Sequence, residues 1–360
     1  MPPIGDRSAA RGLFTNAEYQ SVHDFFAARP ELAPTPTRRL GALASALGLE
    51  ALLAKDETAR FGLNAFKLLG ARFAIEHLLA RGAVRAGATL TCASEGNHGR
   101  AMARAARDAG CAARVYMAAD AAEARASAIA QEGAAVIRVA GSYDDAVRQV
   151  ERESAQHGWT VISDTAWPGY EEIPRLIMLG YTRMMAEVED EVGAIFVQGG
   201  VGGLLCGVAS WWAFHHGLER PRIVCVEPLQ AACLLASARA GGPVAVEGPL
   251  ETTLAGLRNR EVSPLAFEAI QPIVDAYVAI DDAWAHEAMR RLGRPGGADP
   301  IIDAGASGAA ALGGLLAVLQ DPALADVRDC LQLGAHSRVL VVVSEGVTDP
   351  AVSRAVMERA

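Results

Sequence analysis

Short apolar runs alternate along the chain with longer amphipathic stretches, and this alternation predicts βαβ units around largely parallel sheets. The apolar runs predict strands over residues 90–93, 113–117, 135–139, 160–163, 194–198, 223–227 and 339–344. The amphipathic stretches predict helices over 66–81, 98–108, 122–131, 143–156, 172–189, 203–216 and 307–319. Gly82, Gly110, Gly133 and Gly158 stand just past four of these, where helices favour glycine as a stop. Successive strand–helix pairs from about residue 90 to 156 predict a smaller α/β domain inserted in a larger one. The expected boundaries are 87–165 for the small domain and 1–86 with 166–360 for the large, discontinuous one.

Composition narrows the class. A chain of 360 residues, 51% hydrophobic and 21% charged, can bury a sizeable core and excludes extensive disorder. Its net charge of −9 argues against a general nucleic-acid binder. The longest apolar run, about 204–214, is too short to span a bilayer and contains glycine, so no membrane partner is expected. The opening residues Met1-Pro2-Pro3-Ile4-Gly5-Asp6-Arg7 lack the basic and apolar regions of a signal peptide. Six cysteines without a CxxC pair read as thiols of a reducing compartment, which together predicts a cytoplasmic protein. No metal site is expected, because the histidines share no zinc-like spacing with Cys or Asp. Glu227 could begin a cation site, but Cys233 stands where a hard cation would want oxygen.

The basic residues then point to chemistry. Of 33 lysines and arginines only two are lysine, Lys55 and Lys67, and they sit twelve positions apart. A guanidinium stays protonated, whereas a lysine amine can act as a base or form a Schiff base. Lys67 ends the run Asn64-Ala65-Phe66-Lys67 at the head of a predicted helix, where burial favours the nucleophilic amine. A snorkelling surface lysine is the bland alternative. Lys55, between Leu52-Leu53-Ala54 and Asp56-Glu57, reads as a strand-end residue paired with a carboxylate.

Three loops follow predicted strands. Ser94-Glu95-Gly96-Asn97-His98-Gly99 opens a helix, whose N-terminal N–H groups suit a carboxylate or phosphate. An ordinary cap by Ser94 or Asn97 would look the same. Gln198-Gly199-Gly200-Val201-Gly202-Gly203 lets backbone N–H groups converge, as a phosphate cup or as a tight turn. It lacks the Lys-Ser/Thr of a P-loop and the dinucleotide-binding spacing. Val341-Val342-Val343-Ser344 ends a strand on a hydroxyl.

In this order the motifs resemble the fold-type II pyridoxal-phosphate enzymes, the family of threonine dehydratase, serine racemase and tryptophan synthase β. The likeness runs from about residue 13 to 348 and is greatest to the diaminopropionate ammonia-lyases. It is carried by Lys55-Asp56-Glu57, the run Arg60 to Lys67, Gly96-Asn97-His98-Gly99-Arg100, Asp164-Thr165-Ala166-Trp167, Gly169-Tyr170, Ile173-Pro174, the glycine loop, Val226-Glu227-Pro228 and Ala255-Gly256-Leu257. The resemblance implies two parallel-sheet domains with the site in the cleft between them, and a homodimer. Lys67, preceded by Phe66, would hold pyridoxal 5'-phosphate as a Schiff base. Gly199, Gly200, Val201, Gly202 and Gly203 would cup its phosphate, Asn97 would meet the ring hydroxyl, and Ser344 the ring nitrogen. Ser94, Glu95, Gly96, Asn97 and His98 would grip the substrate carboxylate. Asp164 would serve as base for L-substrates and Glu95 for D-substrates, where the family has the shorter aspartate.

The implied reaction is α,β-elimination from 2,3-diaminopropionate or a related β-substituted amino acid, giving a 2-keto acid and ammonia. Pro168 and Ala306 also depart from the family pattern, which has glutamate at both places. The runner-up readings are a serine or threonine dehydratase, a racemase, a β-replacement synthase, and a non-catalytic cofactor-binding homologue.

Overall fold

The computed structural model describes residues 12–358; the run from Met1 to Arg7 lies outside the described residues. In chain order the described strands are β1 (Thr37–Arg39), β2 (Ala51–Asp56), β3 (Thr89–Ala93), β4 (Ala112–Ala118), β5 (Ala135–Val139), β6 (Thr160–Val161), β7 (Ala194–Gln198), β8 (Arg222–Pro228), β9 (Ala276–Ile280) and β10 (Arg338–Val343). The chain divides into two compact units. One runs up to Phe66 and resumes at Thr182; the other is Lys67–Tyr181.

The larger unit holds a six-stranded sheet in the order β1-β2-β10-β7-β8-β9. Only the β1–β2 pair is antiparallel. Strand β7 and most of β8 and β10 are buried along their length, as expected of parallel strands covered on both faces, and this explains their unbroken Val/Ile runs. The helix Ala306–Gln320 lies in this core and is buried almost throughout. Glycine permits its close approach: a Cβ on Gly308 would fall 2.0 Å from the Glu345 carbonyl oxygen, and one on Gly314 would fall 2.4 Å from Val226.

Two strands of this sheet escape the hydrophobic pattern. Strand β1 is three residues of Thr and Arg on an edge. Strand β9, the opposite edge, is only alternately buried. The expected helix over 172–189 also divides, into Glu172–Tyr181 and a short turn Arg183–Ala186. The break falls where the chain passes from one unit to the other.

The smaller unit holds a fully parallel four-stranded sheet in the order β5-β4-β3-β6. It is wider than 87–165 because the helices at its two ends pack on each other. Leu68–Ala80 and Glu172–Tyr181 cross at Gly70 and Gly180. There a Cβ would lie 2.5 Å from the Ile177 carbonyl oxygen or 2.7 Å from that of Leu69. Among the described residues no single helix is long and apolar enough to cross a membrane. All six cysteines are free thiols, five of them buried.

Candidate active site

The segment before Lys67 is held by its own unit. Phe61, Gly62 and Asn64 adopt left-handed backbone conformations, with φ of 52°, 72° and 58°. A Phe there is uncommon and signals a turn imposed by its surroundings. Those surroundings are a buried ion cluster. Arg60 pairs with Glu57 through Nε, and its Nη2 donates to Glu187 Oε2 at 2.6 Å and to Thr35 Oγ1 at 2.7 Å. Lys55 Nζ donates to Glu187 Oε2 at 2.7 Å and to the Thr35 carbonyl at 2.6 Å. The partner expected for Lys55 is thus present, but it is Glu187, 132 residues away. Beyond the turn, Ala65 bridges to Glu345, and the Phe66 N–H donates to the Ser344 carbonyl at 3.3 Å. The end of β10 and the residue before Lys67 are therefore tied to each other.

Lys67 itself caps the N-terminus of Leu68–Ala80, and its Nζ donates to Asp164 Oδ2. The segment carrying Asp164 is braced by Tyr170. Its hydroxyl donates to the Val161 carbonyl at 2.8 Å and accepts from the Ser163 N–H at 2.9 Å, and its ring stacks on Trp167 at 4.0 Å. Burial works to raise the Asp164 pKa, but the charges of His98 and then Lys67, with the Lys67 hydrogen bond, outweigh it. The carboxyl ends well below the usual carboxylate range.

The loop 94–99 opens the helix Asn97–Asp108, with Gly96 at the cap position and no side-chain bond from it. Neither capping residue expected from sequence sits at the cap. The Ser94 hydroxyl reaches further, accepting from Gly99 N–H at 2.9 Å and Gly96 N–H at 3.3 Å. His98 is buried and lies against Asp164, with Nδ1 3.6 Å from Oδ2. Glu95 Oε1 accepts from the Ala118 N–H at 3.3 Å, at the end of β4. Lys67, Asp164 and His98 thus form one cluster, and Glu95 is anchored to a neighbouring strand end.

In the larger unit the glycine loop joins β7 to the helix Gly203–His216. That helix has no side-chain cap, and Gly200 and Gly202 take φ of 60° and 99°. A Cβ on Gly199 would lie 2.7 Å from Glu227 Cγ. Uncapped N–H groups and left-handed glycines, with Val201 the one side chain in the turn, suit a phosphate. Sequence reasoning assigned no role to Gln198, yet its Nε2 lies within hydrogen-bond distance of the carbonyls of Ser307, Gly308 and Val342, tying the loop's strand to β10 two residues before Ser344. Its place just ahead of the glycines was the available signal. Glu227 accepts from the Leu234 and Leu235 N–H groups at 2.9 and 2.8 Å, and Cys233 Sγ donates to the Gly200 carbonyl at 3.4 Å. Among the described residues no group of three or more His, Cys, Asp and Glu side chains is placed to hold a metal ion.

A primary amine hydrogen-bonded to a carboxylate and a glycine cup at a helix N-terminus are the two fittings a phosphorylated aldehyde needs, and both are present. The class follows from sequence as well as geometry: residues 28–345 match the family of pyridoxal-phosphate dependent enzymes, and the chain belongs to that family. Within it, the chain is 36% identical to the diaminopropionate ammonia-lyase of Escherichia coli strain K12, over 94% of this chain and 90% of that protein. Two crystal structures of the Escherichia coli enzyme superpose with a TM-score of 0.88 at 34% identity. One, in complex with an aminoacrylate-PLP azomethine reaction intermediate, matches over 96% of this chain and 92% of that one. The other, in complex with D-serine, matches over 99% and 95%.

Proposed function

We propose that the protein is a pyridoxal-phosphate dependent ammonia-lyase that eliminates the β-amino group of 2,3-diaminopropionate or a close β-substituted analogue. The observation that carries this reading is the Lys67–Asp164 pair, an amine and an ionised carboxylate beside the loop 94–99. The relationship to the ammonia-lyases over nearly the whole chain supports it. Bound cofactor would supply an electron sink for the electron pair left at the substrate Cα. The residues do the rest. Lys67 provides the amine that the substrate's own amine replaces. Gly199 to Gly203 bind the phosphate, Asn97 the ring hydroxyl, and Ser344 the ring nitrogen. Ser94 to His98 orient the substrate carboxylate through the start of the helix. Asp164 takes the Cα proton from an L-substrate and Glu95 from a D-substrate. Ammonia departs from Cβ, and hydrolysis of the released enamine gives pyruvate and a second ammonia.

The test is keto-acid and ammonia release across D- and L-forms of 2,3-diaminopropionate, serine and threonine. Release from diaminopropionate well above that from the hydroxy amino acids supports the lyase. A preference for serine or threonine replaces it with a dehydratase, and a product that keeps its α-amino group points to a racemase or synthase. The proposal includes a homodimer in the cytoplasm, checked by light scattering and cell fractionation.

A further inference from the structure

His98 has a second role in the geometry, distinct from holding a carboxylate. Its side chain is 8% exposed, and Nε2 lies 2.8 Å from the Ile162 carbonyl oxygen. A carbonyl only accepts, so Nε2 carries the proton. In a neutral imidazole Nδ1 would then hold a lone pair. That Nδ1 is buried, has no hydrogen-bond partner, and lies 3.6 Å from Asp164 Oδ2. Two acceptors facing each other, one of them the buried Nδ1, repel, whereas a proton on Nδ1 turns the contact into a cation–anion pair. We infer that His98 is held as a doubly protonated imidazolium, and that its fixed charge keeps Asp164 ionised through the catalytic cycle.

The surrounding groups leave this work to His98. Cys92 on β3 and Tyr143, Tyr170 and Tyr181 face Asp164 and are neutral; burial pushes each of them up, and the charge of Asp164 adds to it. On the helix of His98, Arg100, Arg104 and Arg107 pair with Glu132. On the helix Leu68–Ala80, Arg72 pairs with Glu76 and Asp108, and His77 faces Glu172. On β4, Tyr116 donates to Glu153 and Arg114 lies over Trp159. Beside the helix Glu123–Gln131, Glu123 pairs with Arg138. Glu95 is bound to Ala118. Among the described residues the remaining cation at Asp164 is Lys67, whose nitrogen would bond the cofactor and be released in turnover. The charge on His98 changes at no step, and His98 passes no proton to the substrate. It is a positioning residue acting through Asp164.

The catalytic part of this inference rests on Asp164 being the L-side base; the charge assignment does not. Imidazole 15N spectra of the full chain, freed of cofactor, read the charge directly. The signal of His98 is identified among the eight histidines by its loss in His98→Gln. Both nitrogens protonated at neutral pH, reverting to a neutral ring in Asp164→Asn, is the expected result. A neutral His98 in the wild-type chain overturns the inference. In the holoenzyme, His98→Gln keeps a donor for the Ile162 carbonyl but removes the charge. The acid limb of kcat/KM for L-substrates then moves upward by about one pH unit or more, with that for D-substrates in place. An unmoved L-limb refutes the catalytic role. Absence of turnover with every substrate would defeat the lyase reading instead, and the spectra would still decide the charge.

Discussion

The two lysines occupy opposite kinds of surroundings. Lys55 and Glu187 are 0% and 2% exposed, and with Arg60, Glu57 and Arg183 they form a set of three cations and two anions in the larger unit. Lys67 and Asp164 are 23% and 18% exposed, in the smaller unit. Burial outweighs the neighbouring carboxylates at Lys55 and lowers its pKa, yet the amine keeps its partners because Thr35 and Glu187 both accept from it. A closed cluster specifies backbone; a cluster open to solvent can exchange partners. Chemistry needs the second kind, since a reacting amine must leave its carboxylate and return. Lysine is retained at both places for different reasons. At 55 a compact point donor fits beside an arginine fork that already occupies the carboxylates. At 67 the amine itself is the proposed reactant.

The comparison breaks first at Lys67. Lys67→Ala removes keto-acid release altogether and abolishes the near-visible absorbance of a lysine–cofactor Schiff base, while circular dichroism stays that of the folded chain. Lys67→Arg behaves the same, because a guanidinium does not form that bond under ordinary conditions. Turnover surviving in Lys67→Arg would show that the open cluster is not the chemical one.

Asp164→Asn comes next. It leaves a neutral group in contact with Lys67 and costs L-substrates on the order of 10²–10⁴ in kcat, the range for loss of a positioned base. D-substrates lose much less, since the base proposed for them is Glu95. Equal losses on both enantiomers would mean that Asp164 orients Lys67 rather than taking a substrate proton.

What the sequence made legible divides along the same line. The βαβ order, the buried strands and the loops after them are local patterns of four to eight residues, and they follow from alternation and glycine placement. Asp164 and Glu95 were accessible through motif likeness. The partners were not. Glu187 lies 132 positions from Lys55, inside a stretch that reads as continuous helix but ends at Tyr181. The contact of His98 with Asp164 depends on β3 pairing with β6, which brings the Ile162 carbonyl to Nε2. Strand β1, three polar residues, forms only because β2 offers it an edge. Non-local pairing decides which polar residues meet, and single-residue patterns carry no trace of it.

At the buried cluster, Lys55→Met removes the donor shared by Glu187 Oε2 and the Thr35 carbonyl and leaves Glu187 with Arg60 and Arg183. With both arginines still compensating Glu187, the loss is that of a charge-assisted hydrogen bond, about 1.5–3 kcal/mol, which lowers the melting temperature by roughly 5 °C. The folded fraction retains kcat within about tenfold, measured at a temperature well below the new midpoint. A stable but inactive Lys55→Met protein would move Lys55 into the chemistry and dissolve the contrast.

Glu227 sharpens the comparison from the other side. It is buried like Glu187, but its oxygens meet backbone N–H groups in place of cations. Burial therefore prevails over those hydrogen bonds and pushes its pKa up to about 7, the reverse of what His98 and Lys67 do to Asp164. A carboxyl whose folded pKa exceeds its unfolded value binds its proton more tightly in the native state. Its contribution to stability is whole below about pH 4, is lost as pH rises toward 7, and stays lost above that. The amount is about 3 kcal/mol. Denaturant unfolding of the wild type and of Glu227→Gln at pH 5 and pH 8 isolates it. The stability of the wild type relative to Glu227→Gln should fall by most of that amount between the two pH values. A constant difference would mean that two N–H donors suffice to hold a buried carboxylate, and that the cations around Asp164 are not what keeps it ionised.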